Sequence, residues 1–223
     1  MTGHAAAPGR RCFVALMVGM KSLLAPAVSL VLAACASSPP PRTFVLSAPA
    51  EPVAGVLNEA GRPIVELPTV ALPDYLDSTD ILLRDGRNEL KPSPTARWGE
   101  RLSVGITHAL EVALTRRLPG VLVTHVAIPG RSSPRLLVDV EALDLQPDGR
   151  CVLTARWTVP GDAGRAGAIA ERGTFVTGVQ SNGPSSAAVP VTDAAVVSAM
   201  AAAVDQLADR IAVGLRRGSV RPR

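Results

Sequence analysis

Leu136-Leu137-Val138-Asp139-Val140-Glu141-Ala142-Leu143-Asp144-Leu145 and Cys151-Val152-Leu153-Thr154-Ala155-Arg156-Trp157-Thr158-Val159 decide the fold. In the first run Val138 and Val140 fall on one face, and Asp139 and Glu141 on the other. In the second, Cys151, Leu153, Ala155, Trp157 and Val159 alternate against Val152, Thr154, Arg156 and Thr158. A period of two with one apolar face is a half-buried strand. The turn residues Pro147-Asp148-Gly149-Arg150 between them predict an antiparallel hairpin. Ala168–Val179 reads as a third strand after the glycine-rich stretch 161–167. Residues 181–190 are a polar loop. Beyond it, Val196, Val197, Met200, Val204, Leu207, Ile211 and Leu215 recur at helical spacing. This predicts a helix from Asp193 to about Arg217, capped by Thr192, with acidic and basic ends that suit its dipole.

Upstream, Trp98, Leu102, Ile106, Ala109, Leu110, Ala113 and Leu114 form a second apolar stripe. It predicts a helix from about Ala96 to Leu118, stopped by Pro119-Gly120. Ile81–Arg84 and Glu89–Lys91 flank Asp85-Gly86-Arg87-Asn88 and read as a hairpin. Thr43–Leu46, Ile64–Val70 and Val121–Ala127 read as further strands, residues 49–62 as a loop, and Pro73–Asp77 as a turn. The expected class is α/β (α+β): a mostly antiparallel mixed sheet with two long helices packed on one face.

Composition narrows the function. The 223 residues are 47% hydrophobic, 19% charged and 3% aromatic, a composition that suits one globular domain. The net charge is +4, but three of the basic residues (Arg10, Arg11, Lys21) precede Cys35, and no acidic residue does. The remainder is therefore near +1, with Lys91 its only lysine. A chain so neutral and so poor in aromatics lacks the surface of a nucleic-acid binder. Cys12, Cys35 and Cys151 have neither metal-ligand nor disulfide spacing. No metal site and no dissociable cofactor are expected.

Ser22 to Ala34 is a short apolar run ending in small residues, and Cys35 follows. Leu32-Ala33-Ala34-Cys35 resembles the lipobox of bacterial lipoproteins, whose cysteine receives diacylglycerol and an acyl chain. The organisation expected is a signal peptide over 1–34, lipidated Cys35 with a stiff proline tether over 35–42, one domain over 43–217 and a tail over 218–223. An uncleaved anchor would place Lys21 in mid-span at a cost of about 2.5–3.5 kcal/mol and leave Cys35 without a role. Met20-Lys21 makes a good start, which would leave residues 1–19 outside the translated protein, and Met17 is the other candidate start. The rival reading takes Arg10-Arg11 as a twin-arginine signal. Three acyl chains anchor stably where one does not. Ala36-Ser37, with no Asp after the cysteine, implies by the lipoprotein resemblance the periplasmic face of the outer membrane.

Val70-Ala71-Leu72-Pro73-Asp74-Tyr75-Leu76-Asp77, Ile81-Leu82-Leu83-Arg84, Asn88-Glu89-Leu90 and Arg97-Trp98-Gly99-Glu100-Arg101-Leu102 together resemble the PqiC/YmbA family of ABC-type transport auxiliary lipoproteins. The resemblance extends over about residues 35–217. Phe44 stands where an early Tyr is usual, and Gly99 and Arg101 where Ala and Pro are usual. The resemblance implies a non-enzymatic subunit that docks or caps an MCE-domain protein reaching across the periplasm for lipid transport. A ring-like homo-oligomer suits such a cap. A lipid carrier with its own pocket and an envelope esterase are the alternatives.

The residues implied as partner contacts are Pro73, Tyr75, Leu76, Arg84, Arg97, Trp98 and Glu100, since Arg and aromatic side chains dominate interface energetics. Each has a structural reading too. Trp98 fills the core, Tyr75 packs inward with its hydroxyl on backbone, and Arg84 pairs with Asp85 or Glu100. His108 beside Glu111 reads as a solvated face, and His125 as a structural or edge residue. Cys151 reads as a small apolar filler. No Gly-x-Ser-x-Gly elbow and no phosphate-binding glycine loop with its lysine is present.

Overall fold

The computed structural model describes residues 39–46, 61–146, 150–160, 169–178 and 192–217. Met1–Pro40 and Pro41–Arg223 form separate units, and every element below belongs to the second. Cys35, the signal segment and the predicted loops at 147–149, 161–167 and 181–190 lie outside the described residues.

Among the described residues the strands are β1 (Arg42–Phe44), β2 (Ile64–Glu66), β3 (Asp80–Asp85), β4 (Glu89–Trp98), β5 (Leu122–Thr124), β6 (Leu137–Leu145), β7 (Arg150–Val159) and β8 (Ile169–Gly178). The helices are α1 (Leu102–Arg117) and α2 (Asp193–Arg217). Six strands make one mixed sheet in the order β1-β4-β3-β6-β7-β8, and β2 and β5 pair separately. The α+β class is as expected: β6, β7 and β8 are antiparallel neighbours, as are β3 and β4. The contacts β1–β4, β3–β6 and β2–β5 are parallel.

The period-two face of β7 is the centre of the core. Cys151, Leu153, Ala155, Trp157 and Val159 are all buried. α2 lies over β7 and β8 and beside α1. Its Leu207, Ile211 and Leu215 are fully buried, and each contributes about 1.5–3 kcal/mol of transfer free energy. Thr192 accepts the Ala195 N–H at 3.3 Å, as the capping pattern predicts. Arg117 clamps the C-terminal end of α1 to the middle of α2. It donates to Asp209 at 2.6 Å, to Asp205 at 2.7 Å and to the Ala113 carbonyl at 3.0 Å.

Two expectations change. The first long helix begins at Leu102, not near Ala96, because β4 continues as strand to Trp98. Pro92 and Pro94 hold their predecessors extended, and neighbouring backbone then takes up the amide hydrogens that follow. Trp98 donates to the Thr79 carbonyl and Gly99 to the Phe44 carbonyl, both at 2.7 Å. The absence of a side chain at Gly99 matters here, since a Cβ would lie 3.2 Å from Thr43 Cγ2 and 3.3 Å from Val45 Cγ1.

Second, the strand expected over Ile64–Val70 is short. Leu67 still donates to the Thr124 carbonyl of β5 at 2.8 Å, and beyond Pro68 the chain changes partners. Val70 donates to Thr107 Oγ1 at 2.9 Å, and Ala71 to the Val138 carbonyl at 3.0 Å. Residues 67–71 thus cross from the small sheet to β6.

Candidate functional site

The turn Pro73–Asp77 projects one aromatic ring from a fixed base. Leu76 is buried at 2% exposure, which anchors the turn, while the neighbouring Tyr75 is 49% exposed. The Leu76 and Asp77 amides both donate to the Pro73 carbonyl, at 2.9 and 3.3 Å. Asp77 then ties the turn to α1. Its Oδ1 accepts the Ser103 N–H at 3.0 Å and its Oδ2 accepts from Arg101 at 2.5 Å. Arg101, the residue before α1, supplies no side-chain cap of its own, so Asp77 caps the helix from a distant part of the chain. Burial raises the Asp77 carboxyl, but the hydrogen bonds from Ser103 and the Arg101 guanidinium outweigh it. The group is held below its ordinary value. Arg101, where proline is usual in the resemblance, therefore has a structural partner.

Arg84 does not pair with Asp85 or Glu100. It reaches across to β6 and donates to Asp144 at 2.7 Å, with both side chains less than one-fifth exposed. Tyr75 is half-exposed rather than packed inward, and its phenol feels both charges of this pair. Burial and the Asp144 carboxylate push its phenol above the ordinary value, against the pull of Arg84. An exposed aromatic backed by a shielded ion pair, on a turn with little freedom, suits recognition of a partner surface.

The other candidates disperse. Trp98 is 4% exposed and lies in the core. Arg97 is exposed on β4, between Thr43 of β1 and Asp80 of β3 in register. Glu100 meets His108 Nδ1 at 3.3 Å. His108 is therefore not the partner of Glu111, which instead accepts from His125 Nδ1 at 2.5 Å. The two imidazoles pack edge to face with centroids 5.1 Å apart. Among the described residues no three His, Cys, Asp or Glu side chains are arranged to hold a metal ion. Cys151 is buried, and burial foremost, with Asp144 adding to it against a hydrogen bond from Thr177, pushes its thiol up to about 11.

The sequence analysis missed Asp77 as a cap and Asp144 as the Arg84 partner. It also missed the open-face cluster in which Glu141 binds Arg156 at 2.7 Å and Arg172 Nε at 2.9 Å. The charges across β6, β7 and β8 were legible one strand at a time. Asp139, Arg156 and Arg172 are cross-strand neighbours only once the register is known. A cleft of about 300 Å³ between the helices, lined by Leu46, Ala109, Val112, Ala113 and Ala201 among others, is the apolar space the carrier alternative would use. It lies at the small end of the roughly 300–1,000 Å³ typical of small-molecule sites. No helix of the described residues is long and apolar enough to cross a membrane.

A family model described as the ABC-type transport auxiliary lipoprotein component matches residues 44–212. A crystal structure titled only as an uncharacterized protein is 18% identical, with a TM-score of 0.63 over 79% of this chain and 99% of that one. The crystal structure of XCC0632 from Xanthomonas campestris, of family DUF330, is 17% identical, with a TM-score of 0.52 over 80% and 94%. Likeness at this identity speaks to the fold alone. No curated protein matches the chain.

Proposed function

Because the chain belongs to the family of ABC-type transport auxiliary lipoprotein components, we propose that it is the outer-membrane subunit of an MCE-type intermembrane lipid transporter. Acyl chains on Cys35 hold it to the periplasmic face of that membrane. Its domain docks on or caps the periplasm-spanning MCE-domain protein, so that lipid passes between membranes without crossing water. The protein performs no chemistry in this role and needs no dissociable cofactor.

The observation that carries the docking reading is Tyr75, half-exposed within the field of the Arg84–Asp144 pair on a turn fastened to α1. A rigid amphipathic ring loses little conformational entropy on binding, and an adjacent charge pair gives direction to a contact. Leu76 anchors the turn from beneath and Trp98 lies in the core, while Pro73, Arg84, Arg97 and Glu100 reach solvent to differing degrees. Of these, Pro73 and Arg84 share the Tyr75 surface.

The test places a photo-crosslinking p-benzoylphenylalanine at Tyr75 in the native envelope and recovers the full chain through a C-terminal tag. An MCE-domain protein joined at position 75 is the expected product. Recovery of such a protein from a position on β8, with none from position 75, would move the interface elsewhere. The anchor is tested separately. Cys35→Ala is expected to lose outer-membrane fractionation, and unchanged fractionation would remove the acyl anchor from the proposal.

A further inference from the structure

The edge strand β8 and the C-terminal half of α2 frame a cleft of about 310 Å³ that none of the features above uses. It lies near the lower bound of the roughly 300–1,000 Å³ of small-molecule sites, with room for a compact polar ligand but not for acyl chains. Its walls include Trp157, Glu171, Arg172, Gly173, Phe175 and Arg210. In the β7–β8 register Glu171 stands opposite Trp157, and Gly173 opposite Ala155. Gly173 lets the Trp157 and Phe175 rings settle against the β8 backbone at the cleft wall, since a Cβ there would lie 3.1 Å from both Trp157 Cη2 and Phe175 Cζ. Glu171 reaches toward α2, its Oε1 3.7 Å from where a Cβ on Gly214 would sit. Arg210 precedes Gly214 by one helical turn and so shares that face of the helix.

Three polar groups of this cleft have no protein partner. Trp157 is 3% exposed, yet its Nε1 makes no hydrogen bond. Among the described residues neither Glu171 nor Arg210 has an ion pair or hydrogen bond. Arg172 borders the cleft, but its side chain is turned to the open face of the sheet, where it binds Glu141 beside Arg156. Buried donors are almost always satisfied, and an orphan points to a bound water, ion or ligand. A simple anion here would meet the Glu171 carboxylate, and a simple cation would meet the Arg210 guanidinium. Only a ligand with both charges satisfies both sides.

We propose that this cleft binds a small zwitterion. Its oxyanion, a phosphate or carboxylate, takes Arg210 and the Trp157 N–H, and its ammonium, a short carbon bridge away, takes Glu171. Such a group is found in the headgroup of an ethanolamine phospholipid and in free amino-phosphates. The site stands apart from the Tyr75 surface and does not depend on the docking role.

The experiment uses the full-length ¹⁵N-labelled protein in neutral detergent micelles. The chain has two tryptophans, so two indole N–H signals appear, and loss of one in Trp157→Phe assigns it. Free phosphoethanolamine and micellar phosphatidylethanolamine are titrated in separate arms, with inorganic phosphate and phosphatidylglycerol as comparisons. The Trp157 signal is expected to move saturably in at least one ethanolamine arm. Glu171→Gln and Arg210→Gln, both at the rim of the cleft, are expected to weaken that binding by about tenfold or more while leaving the melting temperature in place. Response to the free compound marks a soluble ligand, and response to the lipid alone marks a headgroup. An unmoved Trp157 signal at millimolar concentration in both arms would overturn the proposal. So would inorganic phosphate acting as strongly as phosphoethanolamine, or undiminished binding in both variants.

Discussion

Replacing Asp77 by Ala severs the turn that carries Tyr75 from the helix it caps. The carboxylate accepts the Ser103 N–H at 3.0 Å and an Arg101 nitrogen at 2.5 Å. Loss of an N-cap costs about 1 kcal/mol, within a range of roughly 0.5–2. The Arg101 guanidinium is 66% exposed, so its pair adds at most about 1 kcal/mol after solvent screening. The expected destabilisation is therefore about 1.5–2 kcal/mol, which for a domain of this size lowers Tm by roughly 3–8 °C. Asp77→Asn keeps an acceptor for Ser103 and should lose less than half as much.

The pH dependence carries a sign. Because the folded-state value lies below the ordinary one, the stabilisation is present above the unfolded value of about 3.9. It fades as pH falls through the folded value. Differential scanning calorimetry from neutral pH down to about pH 3 should show the gap between Asp77→Ala and the parent chain narrowing with acidity. Equal melting temperatures at neutral pH would refute the trans-cap. A gap that stays constant into acid would refute its electrostatic part.

Arg117→Ala should cost about 2–3 kcal/mol by denaturant midpoint, since a mostly buried guanidinium loses several charge-assisted bonds. The cost stays in that range because Asp205 and Asp209 are exposed and rehydrate. Arg117→Lys should restore less than half of it, because a point charge cannot span both carboxylates. Cys151 should resist iodoacetamide in the folded protein, as followed by mass mapping of its peptide, with no acceleration between pH 7 and pH 9. Its thiol is pushed up to about 11 by burial, so this group's contribution to stability is present below its unfolded value of about 8.5. That contribution is lost as pH rises from there toward the folded value. Rapid native alkylation at pH 8 would contradict the packing around β7.

How much of the site was legible depends on whether each signal is local. Tyr75, Leu76 and Arg84 stood out as parts of a motif, but a motif does not say which side chain is buried. Leu76 turns under the surface and Tyr75 over it because the Pro73 carbonyl closes the turn and Asp77 fastens it. Glu100 and His108, eight residues apart, meet because α1 begins after Arg101 and carries His108 back toward its own start. Nothing in the one-dimensional pattern sets Asp144 beside Arg84, since sixty residues and a parallel strand contact separate them.

The sequence by itself determined the elements whose signal is periodic. The alternation of β7, the helical spacing of α2 with its Thr192 cap, and the stop after α1 at Pro119-Gly120 all stand as read, because burial of one face imposes a period that no distant contact needs to supply. It also determined the family, through short motifs spread over most of the chain. Only the tertiary structure decided where β4 ends, since strand or helix at Ala96–Trp98 depends on whether β1 and Thr79 are there to take the amide hydrogens. It alone gathered the zwitterion cleft, because Trp157, Glu171 and Arg210 come from three elements and meet only when α2 lies down along the edge of the sheet.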